Sequence, residues 1–221
     1  MALRPLKITF EIDPAGLIFD PFNPPMLDSL IDWCLSPMVR TSKEPPTRSE
    51  EPKEIRLPLG TWHVGEHWGW CASAILPEGD VQETIRYYRK KFRANRISLT
   101  NGMPNLQSGP TREYNLPFVA QLPDKLVAYA IGNRKRIKDL FRRNLRYLGQ
   151  KRHRSFGRIE DYTIEIIEDD YSLVREGLAM RWLPDPAGLR EVRLRPPYWN
   201  NTNRVACCEV GDEYRLTINQ P

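Results

Sequence analysis

Basic side chains that could hold a polyanion are concentrated between residues 134 and 158. That window contains 11 of the 33 lysines and arginines of the chain, and Asp139 is its only acid. A helix from Arg134 to Leu148, ended by Gly149, is predicted there, because one stripe of it is apolar: Ile137, Leu140, Phe141, Leu145 and Leu148. The remaining surface carries basic residues three and four apart: Lys135, Lys138, Arg142 and Arg146.

Like charges on one helix face repel one another, and a bound polyanion would remove that cost. Release of counterions from phosphates is the main sequence-independent contribution to nucleic-acid binding. The alternative is a solvated helix face with no ligand. The near absence of acids favours a nucleic acid.

A basic loop bounded by glycines follows the predicted helix. Its residues are Gly149, Gln150, Lys151, Arg152, His153, Arg154, Ser155, Phe156 and Gly157. Glycine would let the backbone approach phosphates, and the aromatic rings of Tyr147, His153 and Phe156 could stack on unpaired bases. Stacking on unpaired bases favours RNA as the ligand.

Strands and helices around this window can be predicted from periodicity. Leu6 to Ile12 alternates as a half-buried strand, and a helix follows with apolar residues at Leu27, Leu30, Ile31, Cys34 and Leu35. Residues 36–58 are rich in proline and charge and are predicted to be a mobile connection. Thr61 to Leu76 is a second strand region.

The middle of the chain is predicted to hold an inserted helix. Asp80 and Glu83 resemble a capping box ahead of Val81, Ile85, Tyr88 and Phe92, which places Arg86 and Arg89 on the outer face. Residues 95–123 are predicted to be a hairpin or irregular insertion. A central strand is predicted over 126–131, and two further strands over 157–168 and 173–183.

This order of elements predicts an α+β fold. We expect a ferredoxin-like (RRM-like) core with an inserted helix or hairpin and a C-terminal β-rich extension. The predicted domain spans residues 1–183, with the insertion at about 77–123. Residues 184–221 form an extension packed on the same domain.

Composition sets limits on the class of protein. The formal charge is +5 and the pI about 9.1, which alone does not require a nucleic-acid ligand. The chain has no apolar run long enough for a membrane helix and no signal peptide, so we expect a cytoplasmic protein that does not bind membranes. The cysteines are Cys34, Cys71, Cys207 and Cys208, and they are expected to be reduced and buried.

Catalysis and metal binding have weak candidates. His153 lies in the basic loop, and Glu66 could orient His63 or His67, but such histidines more often only hydrogen-bond or stack. Zinc binding by His63, His67 and Cys71 would need a helix that Gly65 and Gly69 disfavour. The acids between Glu160 and Asp170 are more typical of a solvated edge or a contact for a basic partner. We therefore predict no enzyme activity, no metal and no cofactor.

The glycine-bounded loop from Gly149 to Gly157 resembles that of the RAMP superfamily of CRISPR-associated proteins. The strand Leu6 to Ile12 and the segment from Pro25 to Ile31 also resemble the opening of the subunit that caps the crRNA 5′ handle in type IV complexes. The similarity covers Lys7 to about Leu183. Ser155 and Ser29 stand where glycine is common in the family.

The resemblance implies a non-catalytic subunit that anchors the 5′ handle of crRNA. It also implies other effector subunits (backbone, large and small) as partners, and target DNA reached through the complex. A RAMP-family endoribonuclease using His153 or His63 and a purely structural interaction protein are the alternatives. The residues expected to contact RNA are Arg86, Arg89, Arg142, Arg143, Arg146, Lys151, Arg152, His153, Arg154, Ser155, Phe156 and Gly157.

Overall fold

The computed structural model describes residues 2–18, 23–39, 55–91, 105–107, 112–150, 156–198 and 204–214. Within these ranges the helices are α1 (Leu27–Val39) and α2 (Arg134–Asn144). The longer strands are β1 (Arg4–Ile12), β2 (Thr61–Val64), β3 (His67–Trp70), β4 (Leu76–Lys90), β5 (Tyr114–Gly132) and β6 (Ile159–Ile166). The remaining strands are β7 (Val174–Arg175), β8 (Leu178–Ala179), β9 (Leu183–Pro184), β10 (Arg190–Arg193) and β11 (Arg204–Cys208).

The largest sheet has the strand order β4-β5-β1-β6, and each neighbouring pair is antiparallel. β1 lies inside it, with Leu6 opposite Ala130 on one side and Ile166 on the other. Its alternation buries Leu6, Ile8 and Phe10 completely. The strands predicted at 6–12, 126–131 and 157–168 are therefore present.

Both helices cover the same face of this sheet. α1 contributes Leu27, Ile31 and Cys34 to the main core, and α2 contributes Ile137, Leu140 and Phe141. The Phe141 ring lies 5.9 Å from that of Phe10 on β1. A mainly antiparallel sheet with helices on one face is an α+β fold, as predicted.

The helix predicted from Asp80 onward is wrong, because this segment is the long strand β4. β4 pairs with β5 from Leu76↔Val127 to Lys90↔Tyr114, with an irregularity between Glu78 and Val81. The segment is rich in β-branched and aromatic residues, which suit a strand. The predicted insertion therefore contains a long hairpin, hereafter the β4–β5 hairpin, and no helix among its described residues.

Other boundaries also differ from the prediction. α2 ends at Asn144, so Gly149 does not terminate it. The strand region over 61–76 contains the β2–β3 hairpin, and the strand predicted over 173–183 is divided into β7, β8 and the start of β9. The turn between β2 and β3 contains Gly65 and the turn between β7 and β8 contains Gly177, and both glycines have positive φ.

The predicted mobile connection over 36–58 falls largely on residues 40–54, which lie outside the described residues. At its ends, α1 continues to Val39, and Leu57 is buried in the main core.

A second core joins the C-terminal strands to the rest of the chain. It combines Met26 and Trp62 with Trp182, Val192 and Cys207. Next to it the buried Arg181 guanidinium lies 3.2 Å from the Asp28 carboxylate and donates to the Ala72 carbonyl at 2.9 Å. This ion pair connects the first turn of α1 to the strands that follow β8.

The cysteines are free and buried, as predicted. Burial raises the pKa of the Cys34 thiol to about 12 and that of Cys71 to about 11. These thiols therefore stay protonated near neutral pH.

Candidate nucleic-acid interface

α2 places an exposed row of basic side chains above the main core. Asn133 caps its N-terminus, because its Oδ1 accepts a hydrogen bond from the Arg136 backbone N–H at 3.1 Å. Ile137, Leu140 and Phe141 face the core, which leaves Arg142 and Arg143 exposed in the last turn. Arg142 is 70% exposed and makes only a marginal 3.5 Å contact with Asp139.

Arg146 lies just beyond α2 and caps its C-terminus. Its guanidinium donates to the carbonyl oxygens of Leu145 at 2.8 Å and Arg142 at 3.2 Å. Cations at this end of a helix are favoured by the helix dipole. Arg146 is exposed, but an anion would have to compete with these carbonyls for its donors.

The basic loop is closed at its base by backbone hydrogen bonds. The Leu148 N–H donates to the Gly157 carbonyl at 2.7 Å, and the Ile159 N–H donates to the Arg146 carbonyl at 3.0 Å. The segment after β1 supports the base, since Gly157 N–H donates to the Gly16 carbonyl at 2.8 Å. The stem of the loop is thus fixed to the sheet.

Both glycines of the loop have positive φ, +74° at Gly149 and +68° at Gly157. A Cβ on Gly149 would lie 2.6 Å from the Ile18 carbonyl oxygen, and one on Gly157 would overlap the Leu148 carbonyl. Close approach to the protein's own backbone therefore explains both glycines before any ligand is considered.

Phe156 contacts the β4–β5 hairpin. Its ring meets that of Phe118 edge to face, with centroids 5.2 Å apart. Phe118 lies opposite Arg86 in the ladder. The loop and the hairpin therefore form one continuous surface.

One face of the hairpin carries cationic and aromatic residues together. Because side chains alternate along a strand, Arg86, Tyr88 and Lys90 share the face of Phe118 and Tyr114. The Tyr88 and Tyr114 rings stack at 5.0 Å, and Lys90 Nζ lies 5.8 Å from the Tyr114 centroid. We call these five residues the hairpin face.

Of the two arginines predicted on this segment, only Arg86 belongs to the hairpin face. Arg89 is an odd number of positions away and points to the other side, where its Nε donates to Asn115 Oδ1 at 2.9 Å. The sequence analysis missed Tyr88, Lys90 and Tyr114. The alternation of Arg86, Tyr88 and Lys90 was a signal for them, but the apparent capping box obscured it.

Lys151, Arg152, His153, Arg154 and Ser155 lie outside the described residues. Of the seven described members of the predicted site, six lie on the end of α2, the loop base and the hairpin face: Arg142, Arg143, Arg146, Phe156, Gly157 and Arg86. The seventh, Arg89, lies on the other side of the hairpin.

The candidate catalytic groups in the described ranges do not assemble into a metal cluster. No group of three or more His, Cys, Asp or Glu side chains among the described residues could hold a metal ion. His63 is exposed on β2 and stacks on Trp68 with centroids 6.5 Å apart. Neither helix of the described residues is long and apolar enough to cross a membrane.

Clustered arginines beside partly exposed aromatic rings are a type of surface that nucleic-acid-binding proteins use. No curated protein matches the chain. The chain belongs to the Csf3 family of CRISPR type IV associated proteins, whose family model matches residues 4–107 and 100–210. The match confirms the resemblance to a type IV CRISPR-associated protein of the RAMP type.

Proposed function

We propose that this chain is a non-catalytic RNA-binding subunit of a type IV CRISPR effector complex and that it anchors the 5′ handle of crRNA. The observation that carries the proposal is the continuous surface formed by the end of α2, the closed loop base and the hairpin face. Family membership supplies the complex. The arginines and aromatic rings of this surface support RNA as the ligand.

Charge and stacking act at different points of this surface. Arg142 and Arg143 are exposed and suited to phosphates, for which guanidinium groups provide paired donors. Tyr88, Tyr114 and Phe118 supply rings, on which unpaired bases stack. A single-stranded handle can use both kinds of contact at once.

The proposed core is ferredoxin-like. Without the β2–β3 hairpin, the elements run β1-α1-β4-β5-α2-β6, which is a βαββαβ sequence. The order β4-β5-β1-β6 places the first and third strands of that series at the centre of the sheet. On this proposal the hairpin face is an extension of the second and third strands.

Binding of labelled repeat RNA tests the function, with retention and cutting scored in the same reaction. The test variant replaces Arg86, Arg142 and Arg143 by alanine. A control variant replaces Arg4, Arg56 and Lys125, which are exposed residues outside the surface, and loses the same formal charge.

The test variant should bind weakly and show a salt dependence flatter by about one unit of slope per lost phosphate contact. The control should bind nearly as well as the unaltered protein. Equal affinity and slope in the two variants would contradict RNA binding by this surface. Specific cutting that is lost on His153→Ala or His63→Ala would replace the proposal with an endoribonuclease.

A further inference from the structure

A cleft of about 430 Å³ lies away from the loop and the hairpin face. It is formed by the segment before α1, the first turn of α1 and the strands β10 and β11. Its lining residues include Asn23, Pro24, Pro25, Met26, Ser29, Trp182, Arg190, Val192, Arg193, Tyr198 and Arg204. It shares no lining residue with the surface proposed above for the crRNA handle.

Three arginines are among the residues that line this cleft. Arg193 and Arg204 face each other across the β10–β11 ladder. Arg190 is an odd number of positions from Arg193 on β10, and its guanidinium lies 3.9 Å from Glu209 Oε1. Like charges placed directly opposite on two strands destabilise a sheet. Among the described lining residues Glu191 is the only acid, so the three arginines give the lining a net positive formal charge.

The wall behind the arginines is held in place by buried polar contacts. The Tyr198 hydroxyl is 2.8 Å from one oxygen of the buried Asp28 carboxylate, which also pairs with Arg181. Arg190 lies over the Trp182 ring at 5.7 Å from its centroid. A ligand would therefore meet a preformed surface.

The lining has two kinds of surface. Guanidinium groups present paired N–H donors that fit phosphate oxygens. Pro24, Pro25 and Met26 form an apolar side of the cleft, which suits a flat base. A volume of about 430 Å³ falls in the usual range for small-molecule sites. An acidic peptide would use the arginines but leave the apolar side unmatched.

We propose that this cleft is a second site, which binds a nucleotide with its phosphate on Arg193 and Arg204 and its base against Pro24–Met26. The nucleotide can be free or part of a strand, because both offer the same phosphate and base. The site is independent of crRNA handle binding, and either can fail without the other.

Calorimetric titration with adenosine monophosphate tests this site, with adenosine and hexaglutamate as comparison ligands. The full chain is compared with an Arg193→Ala/Arg204→Ala variant and with an Arg56→Ala/Lys125→Ala variant of equal charge. Far-UV circular dichroism and melting are recorded for each. Arg193→Gln/Arg204→Gln, which keeps side-chain length, replaces the alanine variant if that variant melts lower.

Adenosine monophosphate should bind the full chain, and the cleft variant should lose about tenfold or more in affinity because charge-assisted contacts to phosphate are removed. The charge control and the Arg86, Arg142, Arg143 variant should keep that affinity. Displacement by a ten-nucleotide single-stranded RNA assigns the site to a strand, and no displacement assigns it to a free nucleotide. The proposal would be overturned if adenosine monophosphate did not bind the full chain, or if it bound the cleft variant with unchanged affinity. It would also be overturned if the cleft variant lost affinity for hexaglutamate but not for adenosine monophosphate.

Discussion

The guanidinium of Arg181 is among the largest fully buried side chains of the described residues. It donates hydrogen bonds to the Trp70 and Ala72 carbonyls and pairs with the Asp28 carboxylate. That carboxylate also accepts a hydrogen bond from the Tyr198 hydroxyl. Burial raises the pKa of the Asp28 carboxyl, while the Arg181 charge acts in the opposite direction. Because each charge offsets the burial of the other, removing one leaves the other without compensation.

We therefore predict that Asp28→Ala destabilises the protein by about 3–5 kcal/mol, since it leaves a buried unpaired guanidinium. For a chain of this size that is a fall in Tm of roughly 6–20 °C. Asp124→Ala, which removes an exposed carboxylate, is the control. A melting temperature of Asp28→Ala equal to that of the control would show that the pair does not hold the fold.

Phe156 makes a contact that charge cannot explain, because its ring packs on Phe118 of the hairpin. If the two rings form one stacking surface for bases, Phe156→Ala should weaken RNA binding by about 1–3 kcal/mol with little change in salt slope. Phe118→Ala should have a similar effect. The double variant should cost less than the sum of the two, because contacting residues do not act additively.

Binding isotherms at several salt concentrations measure this effect, and circular dichroism shows whether each variant is folded. Arg142→Ala is the contrasting variant, because it should lower both affinity and slope. A folded Phe156→Ala protein that binds handle RNA with unchanged affinity would remove stacking from the proposed interface.

At the scale of elements, hydrophobic periodicity correctly predicted the strands and helices whose sequence pattern matches the contacts they make in the fold. β1 alternates because one face meets the helices, and α2 has an apolar stripe because it covers β1 and β6. In β4 the local sequence pattern disagrees with the contacts that the segment makes. Its local sequence contains Asp80 and Glu83 in the spacing of a capping box, but its partner Tyr114–Pro123 lies at least 24 residues away in the chain.

The candidate site shows the same limit. The basic residues of α2 and the two glycines of the loop are adjacent in sequence, so the pattern indicated them. Tyr88 and Tyr114 become neighbours only through the register of β4 with β5. Long-range pairing of this kind depends on packing that a single sequence does not display.

The outer part of the hairpin should be removable without loss of the core. Thr84 lies directly opposite Ala120, so replacing residues 85–119 by Asn-Gly would join the strands with a two-residue turn. The large apolar side chains in the deleted part are at least half exposed: Ile85 at 61%, Leu116 at 54% and Val119 at 50%. The cores described above keep their buried residues.

We predict that this shortened protein melts within a few degrees of the full chain but binds handle RNA more weakly. The reason is that Arg86, Tyr88, Tyr114 and Phe118 are removed while the main core is unchanged. Melting curves and RNA titrations check both parts. RNA affinity equal to that of the full chain would restrict the interface to α2 and the loop.

For the whole molecule, the second core decides whether the C-terminal strands form a separable extension. Val192, Leu194, Cys207 and Cys208 from that region are buried against Met26 and Trp62 from the first third of the chain. Arg181 also donates to the Leu194 carbonyl at 2.5 Å. These contacts make the strands after residue 183 part of the structure that positions α1.

We predict that a chain ending at residue 183 loses cooperative unfolding, because Trp182, Leu183 and the Arg181 guanidinium would lose much of their cover. Unpaired buried polar groups and exposed apolar surface both oppose folding. A chain ending at Tyr214 is the control, since it keeps every described contact of the C-terminal strands, and it should unfold in one sharp transition. Thermal melting and limited proteolysis distinguish the two chains. If the chain ending at residue 183 melts as sharply and at the same temperature as the control, the C-terminal strands are an appendage, and α1 is held by the sheet alone.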